Sequence, residues 1–111
     1  MEVTMDADQR IGQSLPLSET GYYILLSLRR ERHGYGIMQD VESMTDGRLR
    51  IGAGTLYGTL GKMEKQGFIE ATAVEDRRKL YQLTADGREL LRREIERLDE
   101  LVRNARRSEE V

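Results

Sequence analysis

Residues 53–83 read AGTLYGTLGKMEKQGFIEATAVEDRRKLYQL, and two periodicities succeed one another within them. Leu56, Leu60 and Met63 recur at i, i+4 and i+7, which predicts a helix from about Ala53 to Gln66, closed by Gly67. Ile69, Ala71 and Ala73 then alternate with polar residues, as do Tyr81 and Leu83, which predicts two strands. The polar run Glu75-Asp76-Arg77-Arg78 lies between them, so the pair reads as a hairpin with a charged tip. Gly58 and Gly61 each cost about 1 kcal/mol relative to alanine inside a helix. Packing against other helices must therefore hold this one in place.

Two helices are predicted upstream. Ser18 can cap the first, Glu19 suits its first turn, and Leu17 with Tyr22 has the spacing of a hydrophobic staple. Tyr22, Leu25 and Leu26 form its stripe, widened by Ile24 and Leu28, and it ends in the cluster Arg29-Arg30-Glu31-Arg32. The second helix runs from about Tyr35 to Thr45, with Ile37, Met38, Val41 and Met44 on one face and Gly47 as its stop. His33 reads as a turn residue that stabilises the start of this helix, not as a metal ligand. Leu49 and Ile51 alternate with Arg48 and Arg50, which predicts a short extended piece.

Downstream, Thr84 is the expected N-cap of a last helix. Its residues Leu91, Ile95, Leu98, Val102 and Ala105 are spaced 4, 3, 4 and 3, a heptad seam expected to pair two copies of the chain. The expected organisation is a flexible N-terminal tail over 1–14, in which Ile11 is free to pack on the body. A DNA-binding domain follows over 15–84, then a dimerisation helix over 85–107 and a frayed tail over 108–111.

The composition narrows the function classes. A chain of 111 residues fits one domain. With no Cys and one His, a disulfide scaffold, a thiol nucleophile and a multi-His metal site are excluded. The longest stretch without a charged side chain is Ile51–Gly61, far short of the roughly twenty apolar residues of a membrane span, and the polar, acidic opening is unlike a signal peptide. A cytoplasmic protein with no membrane partner is expected. No nucleophile–base pair, metal cluster or phosphate loop is apparent, so the reading is no enzyme, no metal and no cofactor. The 18 basic and 20 acidic residues leave a net charge of −2, but residues 48–83 hold seven basic and four acidic residues. A lean hydrophobic content of 38% suits burial against a partner subunit.

Three short helices, a hairpin and a long helix form the order of a winged helix-turn-helix: mainly α, in the α+β class, with a long C-terminal dimerisation helix. In that fold the third helix enters the major groove and the hairpin reaches neighbouring backbone or minor groove. The basic window contains both elements. Arg50 precedes the third helix, Lys62 lies on it, and Arg77, Arg78 and Lys79 form the tip, where cations can meet phosphates. Gly54, Thr55, Gly58 and Thr59 lie on the helix expected to read bases.

The ordered combination of Leu25-Leu26-Ser27-Leu28, His33-Gly34-Tyr35-Gly36-Ile37, Gly54-Thr55-Leu56-Tyr57, Met63-Glu64-Lys65-Gln66-Gly67-Phe68-Ile69, Arg77-Arg78-Lys79 and Leu83-Thr84-Ala85-Asp86-Gly87-Arg88 resembles the PadR family of bacterial transcriptional regulators. The resemblance runs from about residue 15 to residue 105 and is closest to the smaller subfamily with a single C-terminal helix. Gly52-Ala53 stands where that family often has Ser-Pro, and Gly58 where it often has proline. The resemblance implies a homodimeric repressor on a pseudo-palindromic operator in double-stranded DNA, released by a small-molecule effector. It also implies DNA contact by Tyr57 on the reading helix, with Tyr35 near phosphate. Two other readings stay open. One is a winged-helix module that binds protein; the other is a ligand sensor with DNA binding as its output.

Overall fold

The computed structural model describes residues 5–109, so residues 1–4 and 110–111 of the two expected tails lie outside it. Eight elements follow in chain order. They are α1 (Ala7–Gln13), α2 (Glu19–Ser27), β1 (Arg32–His33), α3 (Gly34–Met44), α4 (Ala53–Lys65), β2 (Ile69–Glu75), β3 (Arg78–Leu83) and α5 (Ala85–Ser108). The helices α2, α3 and α4 pack around one core. Ile24, Leu25, Leu28, Ile37, Val41, Leu56 and Leu60 are all buried there, each worth roughly 1.5–3 kcal/mol on leaving water. Phe68, Ile69, Leu83, Leu90 and Leu91 join the wing and α5 to that core.

The caps follow the local chemistry of the sequence. The Ser18 hydroxyl accepts the N–H of Gly21, His33 Nδ1 accepts that of Gly36, and the Thr84 hydroxyl accepts that of Gly87. At the end of α4, Gly67 adopts φ +80° while the N–H of Phe68 donates to Met63 O and that of Gly67 to Glu64 O. These two bonds form the Schellman closure that a left-handed glycine permits. The same closure ends α3, but there the left-handed residue after the cap is Asp46, with Gly47 one step beyond.

Three expectations are corrected. The flexible tail is one: residues 7–13 form α1. Asp6 and Gln9 make a capping box, and Ile11 is buried in the core. A seven-residue helix is marginal alone, and this one is held by tertiary contacts. Arg10 pairs with Asp86, donates to Gln66 O at 3.0 Å and lies 5.3 Å from the Phe68 ring centroid, while Asp8 meets Arg93 at 2.5 Å.

The first predicted helix stops at Ser27, and Arg32–His33 leave it as a strand. The sheet consequently has three antiparallel strands in the order β1-β3-β2, with Arg32 opposite Tyr81 and Ala71 opposite Tyr81 on the other side. Two residues are too short to carry a periodicity, which is why this strand is silent in the sequence.

The piece around Leu49 and Ile51 lies outside helix and strand, as an extended connection does. In β2 only Ile69 is buried, because the strand beyond its root projects into solvent, and a bulge at Thr72 interrupts its register with β3. Glu94 is buried in spite of its charge. It is 1% exposed, and its carboxylate accepts the Leu17 N–H at 2.6 Å and Arg97 Nε at 2.5 Å, the partners a buried charge requires.

Candidate nucleic-acid interface

The hairpin turns over Asp76 and Arg77, with φ of +50° and +66°. Two consecutive left-handed residues between β2 and β3 are the signature of a type I′ turn, whose twist matches that of paired strands. The turn carries Arg77, Arg78 and Lys79 outward, all exposed. It also folds them back toward the start of α3 and the first turns of α4.

There they meet Tyr35 and Tyr57 around a cleft of about 460 Å³. Its walls are Gly34 and Met38 of α3, Ala53 of α4 and Tyr81 of β3. Gly34 explains how the Tyr57 ring lies where it does. A Cβ at position 34 would stand 2.5 Å from the phenol oxygen, so only glycine admits the ring against the start of α3. Burial, aided by Glu64 and the neighbouring Tyr57, pushes the Tyr81 phenol above its ordinary range and keeps it neutral.

The wing tip and the outer side of α4 hold cations that no described carboxylate compensates. Among the described residues, Lys62, Lys65, Arg77, Arg78 and Lys79 take part in no ion pair, whereas Arg48 is paired with Glu19, and Arg92 and Arg93 with Glu89. The last two guanidiniums hold the Glu89 carboxyl down to about 2. Unpaired cations on an exposed rim retain their full attraction for phosphate.

The sequence-predicted contact residues divide into three groups. Tyr35, Tyr57, Arg77, Arg78 and Lys79 gather at the cleft. Gly54, Thr55, Gly58 and Lys62 lie on the exposed face of α4 beside it. A Cβ at Gly54, Gly58 or Gly61 would meet nothing within 4 Å, so packing does not require these glycines. Arg50 is instead engaged by Glu42 at 3.3 Å, and Thr59 is half-buried against the other flank of α4. Gly34, Met38, Ala53 and Tyr81 complete the cleft without having been singled out as site residues. Their role follows from the approach of α3 to β3, which no local pattern records.

The expected dimer seam is also redistributed. Leu91 is 3% exposed and belongs to the protomer's own core, as the facing wing root requires. Ile95 is 40% exposed, Leu98 half-buried, Val102 48% exposed and Ala105 exposed, with Leu101 beside them at 52%.

Comparison with known proteins places this geometry in a family. A model of the PadR-like family of transcriptional regulators matches residues 23–93. The chain is 36% identical over 70 residues to an uncharacterised protein X of Lysinibacillus sphaericus, a match covering 60% of this chain and 64% of that protein. It is 39% identical over 62 residues to an uncharacterised protein of transposon TN4556 from Streptomyces fradiae, covering 56% of this chain and 17% of that one. Thus the chain spans under two thirds of the length of either curated relative. Among solved structures, Bacillus subtilis PadR in complex with operator DNA superposes with a TM-score of 0.60 at 26% identity, over 68% of this chain and 45% of that one. The family match takes in α3, α4 and the whole wing, which build the cleft, together with the first turns of α5, and the chain belongs to the PadR-like family of transcriptional regulators.

Proposed function

We propose that the protein is a sequence-specific DNA-binding regulator that acts as a homodimeric repressor and is released by a small-molecule effector. The observation that carries the DNA-binding part is the set of unpaired cations, Arg77, Arg78 and Lys79, that the wing holds at the Tyr35–Tyr57 cleft. In this reading α4 enters the major groove with Thr55 and Lys62 toward base edges, and Arg77, Arg78 and Lys79 hold phosphates. Tyr35 and Tyr57 donate their phenol protons to the backbone between the two. The operator complex of the Bacillus subtilis relative supports duplex DNA as the partner.

The homodimer rests on α5. Beyond Leu98 every described residue of this helix is exposed, yet Leu101, Val102 and Ala105 continue its apolar face. A second copy of the same helix covers that face and relates two copies of α4 by a two-fold axis. Such a dimer reads a pseudo-palindrome with half-sites about one helical turn, roughly 34–36 Å, apart. Occupying such a site within a promoter represses by excluding the polymerase.

Fluorescence anisotropy with duplexes from the chain's own promoter region tests this reading. Affinity is expected to fall steeply with salt, and Val102→Glu is expected to give a monomer that loses operator binding. Binding that ignores salt, or a wild-type chain that sediments as a monomer at micromolar concentration, overturns it.

A further inference from the structure

The chain has six aromatic residues, and only Tyr35 and Tyr57 are exposed, at 54% and 53%. Tyr22 and Tyr23 are half-buried and meet edge to face with ring centroids 5.5 Å apart, while Phe68 and Tyr81 are buried. An aromatic ring left in water forgoes a large gain in burial. Here both exposed rings open on one cleft, that of about 460 Å³ between α3, α4 and the wing. Regular elements hold them there, Tyr35 in the first turn of α3 and Tyr57 in the second turn of α4. Met38 and Tyr81 add apolar surface to the walls.

The charged groups of this cleft have one sign. Asp and Glu make up 20 of the 111 residues, yet none lines it among the described residues, whereas Arg77, Arg78 and Lys79 do. Exposed rings and free cations along one open groove are the two components that hold single-stranded nucleic acid. A duplex has no use for the faces of the rings. Its base faces are covered by neighbouring pairs, so it offers a protein only base edges, sugars and phosphates. A nucleotide out of the stack does offer a face, and a cleft of this size suits a guest of that scale.

We propose that this cleft binds single-stranded DNA. It takes one unpaired nucleotide, with the base against the Tyr35 and Tyr57 rings and the flanking phosphates on Arg77, Arg78 and Lys79. Stacking is blind to the identity of the base, so this binding tolerates any sequence. The ligand is not the duplex of the proposed regulator, although both use the same cations, so strand and duplex exclude one another at a single wing. Neither a two-fold axis nor an operator is needed, and the strand site stands or falls apart from duplex binding.

The test is fluorescence anisotropy of the full chain with a labelled oligo(dT) of about twelve nucleotides, and with a strand of the same length from which every base is absent. The abasic strand keeps all the phosphates and lacks all the rings. Oligo(dT) is expected to bind about tenfold tighter, roughly the worth of one stacked base. Tyr35→Ala is expected to remove most of that advantage, and Tyr35→Phe, which keeps the ring and loses the hydroxyl, to preserve it. Arg77→Ala with Arg78→Ala is expected to weaken both strands alike. Equal affinity of the unaltered chain for the two strands overturns the proposal, and that comparison depends on no variant. An advantage that survives Tyr35→Ala, or vanishes with Tyr35→Phe, overturns it as well. Duplexes from the promoter region are titrated beside the strands. A chain that binds duplex but treats the two strands alike loses only the strand site. One that prefers oligo(dT) and ignores every duplex keeps the strand site and refutes the proposed regulator.

Discussion

The middle of α5 and the α4–wing face carry similar cations and compensate them differently. In the middle of α5, Arg92, Arg93, Arg97 and Arg103 each meet a carboxylate within 3.1 Å, mostly one turn away on the same helix, while Arg88, Arg106 and Arg107 at its ends meet none among the described residues. On α4 and the wing, Lys62, Lys65, Arg77, Arg78 and Lys79 meet none among the described residues. The intrinsic stability of the two helices differs in the same sense. α5 is rich in Leu, Arg and Glu, all good helix formers, while α4 exposes Gly54, Gly58 and Gly61. A net charge of −2 is therefore compatible with a strongly phosphate-seeking face, because attraction depends on which cations are left uncompensated and not on their number. The middle of α5 pairs its charge on its own surface, and α4 gives up stability for an open outer face.

Four experiments break or sharpen this contrast. The largest effect is expected at the joint between the two regions. A Cβ on Gly87 would fall 1.9 Å from Phe68 O, so Gly87→Ala forces the start of α5 off the root of the wing. A loss of about 3 kcal/mol or more is expected, seen as a drop of at least about 12 °C in thermal melting. Melting unchanged by this variant means that the joint is looser than described.

Next, Arg77→Ala combined with Arg78→Ala is expected to weaken binding to every duplex sequence by roughly tenfold and to flatten the salt dependence by about two contacts. Arg92→Ala with Arg93→Ala, in the compensated middle of α5, is expected to leave both unchanged. Equal losses in the two pairs would erase the distinction between the two regions.

Third, Gly58→Ala and Gly61→Ala are each expected to raise stability by about 1 kcal/mol, since open space receives the methyl group. DNA affinity should fall at the same time, because the added methyls stand between α4 and the groove. A rise in stability with unchanged affinity would remove the outer face of α4 from the contact surface.

The smallest effect concerns acid. The Glu89 carboxyl is held at about 2 against an ordinary 4.5, so its pairing favours the folded chain fully above pH 4.5. That contribution is lost as pH falls from 4.5 toward 2. Glu89→Gln is expected to make acid unfolding, followed by circular dichroism, less steep in that window, and an identical acid transition in the variant would refute it.

Much of the architecture was legible along the chain. The spacing of Leu56, Leu60 and Met63 placed α4, the caps Ser18 and Thr84 placed two helix starts, and the charged turn placed the wing tip. What escaped reading was short or compensated. α1 has one buried residue, Ile11, so no periodicity announces it. β1 has two residues and exists only because β3 offers it a partner. Leu91 follows the heptad as faithfully as Ile95, yet the wing root covers one and leaves the other open.

The candidate site divides along the same line. Residue types and their order brought Arg77, Arg78, Lys79 and Tyr57 under suspicion, because hairpin tips and reading helices are made by short-range rules of backbone conformation and apolar spacing. That Arg50 is neutralised by Glu42 while the wing cations go free, that Gly34 admits the Tyr57 ring, and that Tyr35 and Tyr57 share a cleft with those cations could be learned only from the folded chain. Ion pairing and close approach are relations between neighbours in space, and those neighbours stand far apart in the linear order.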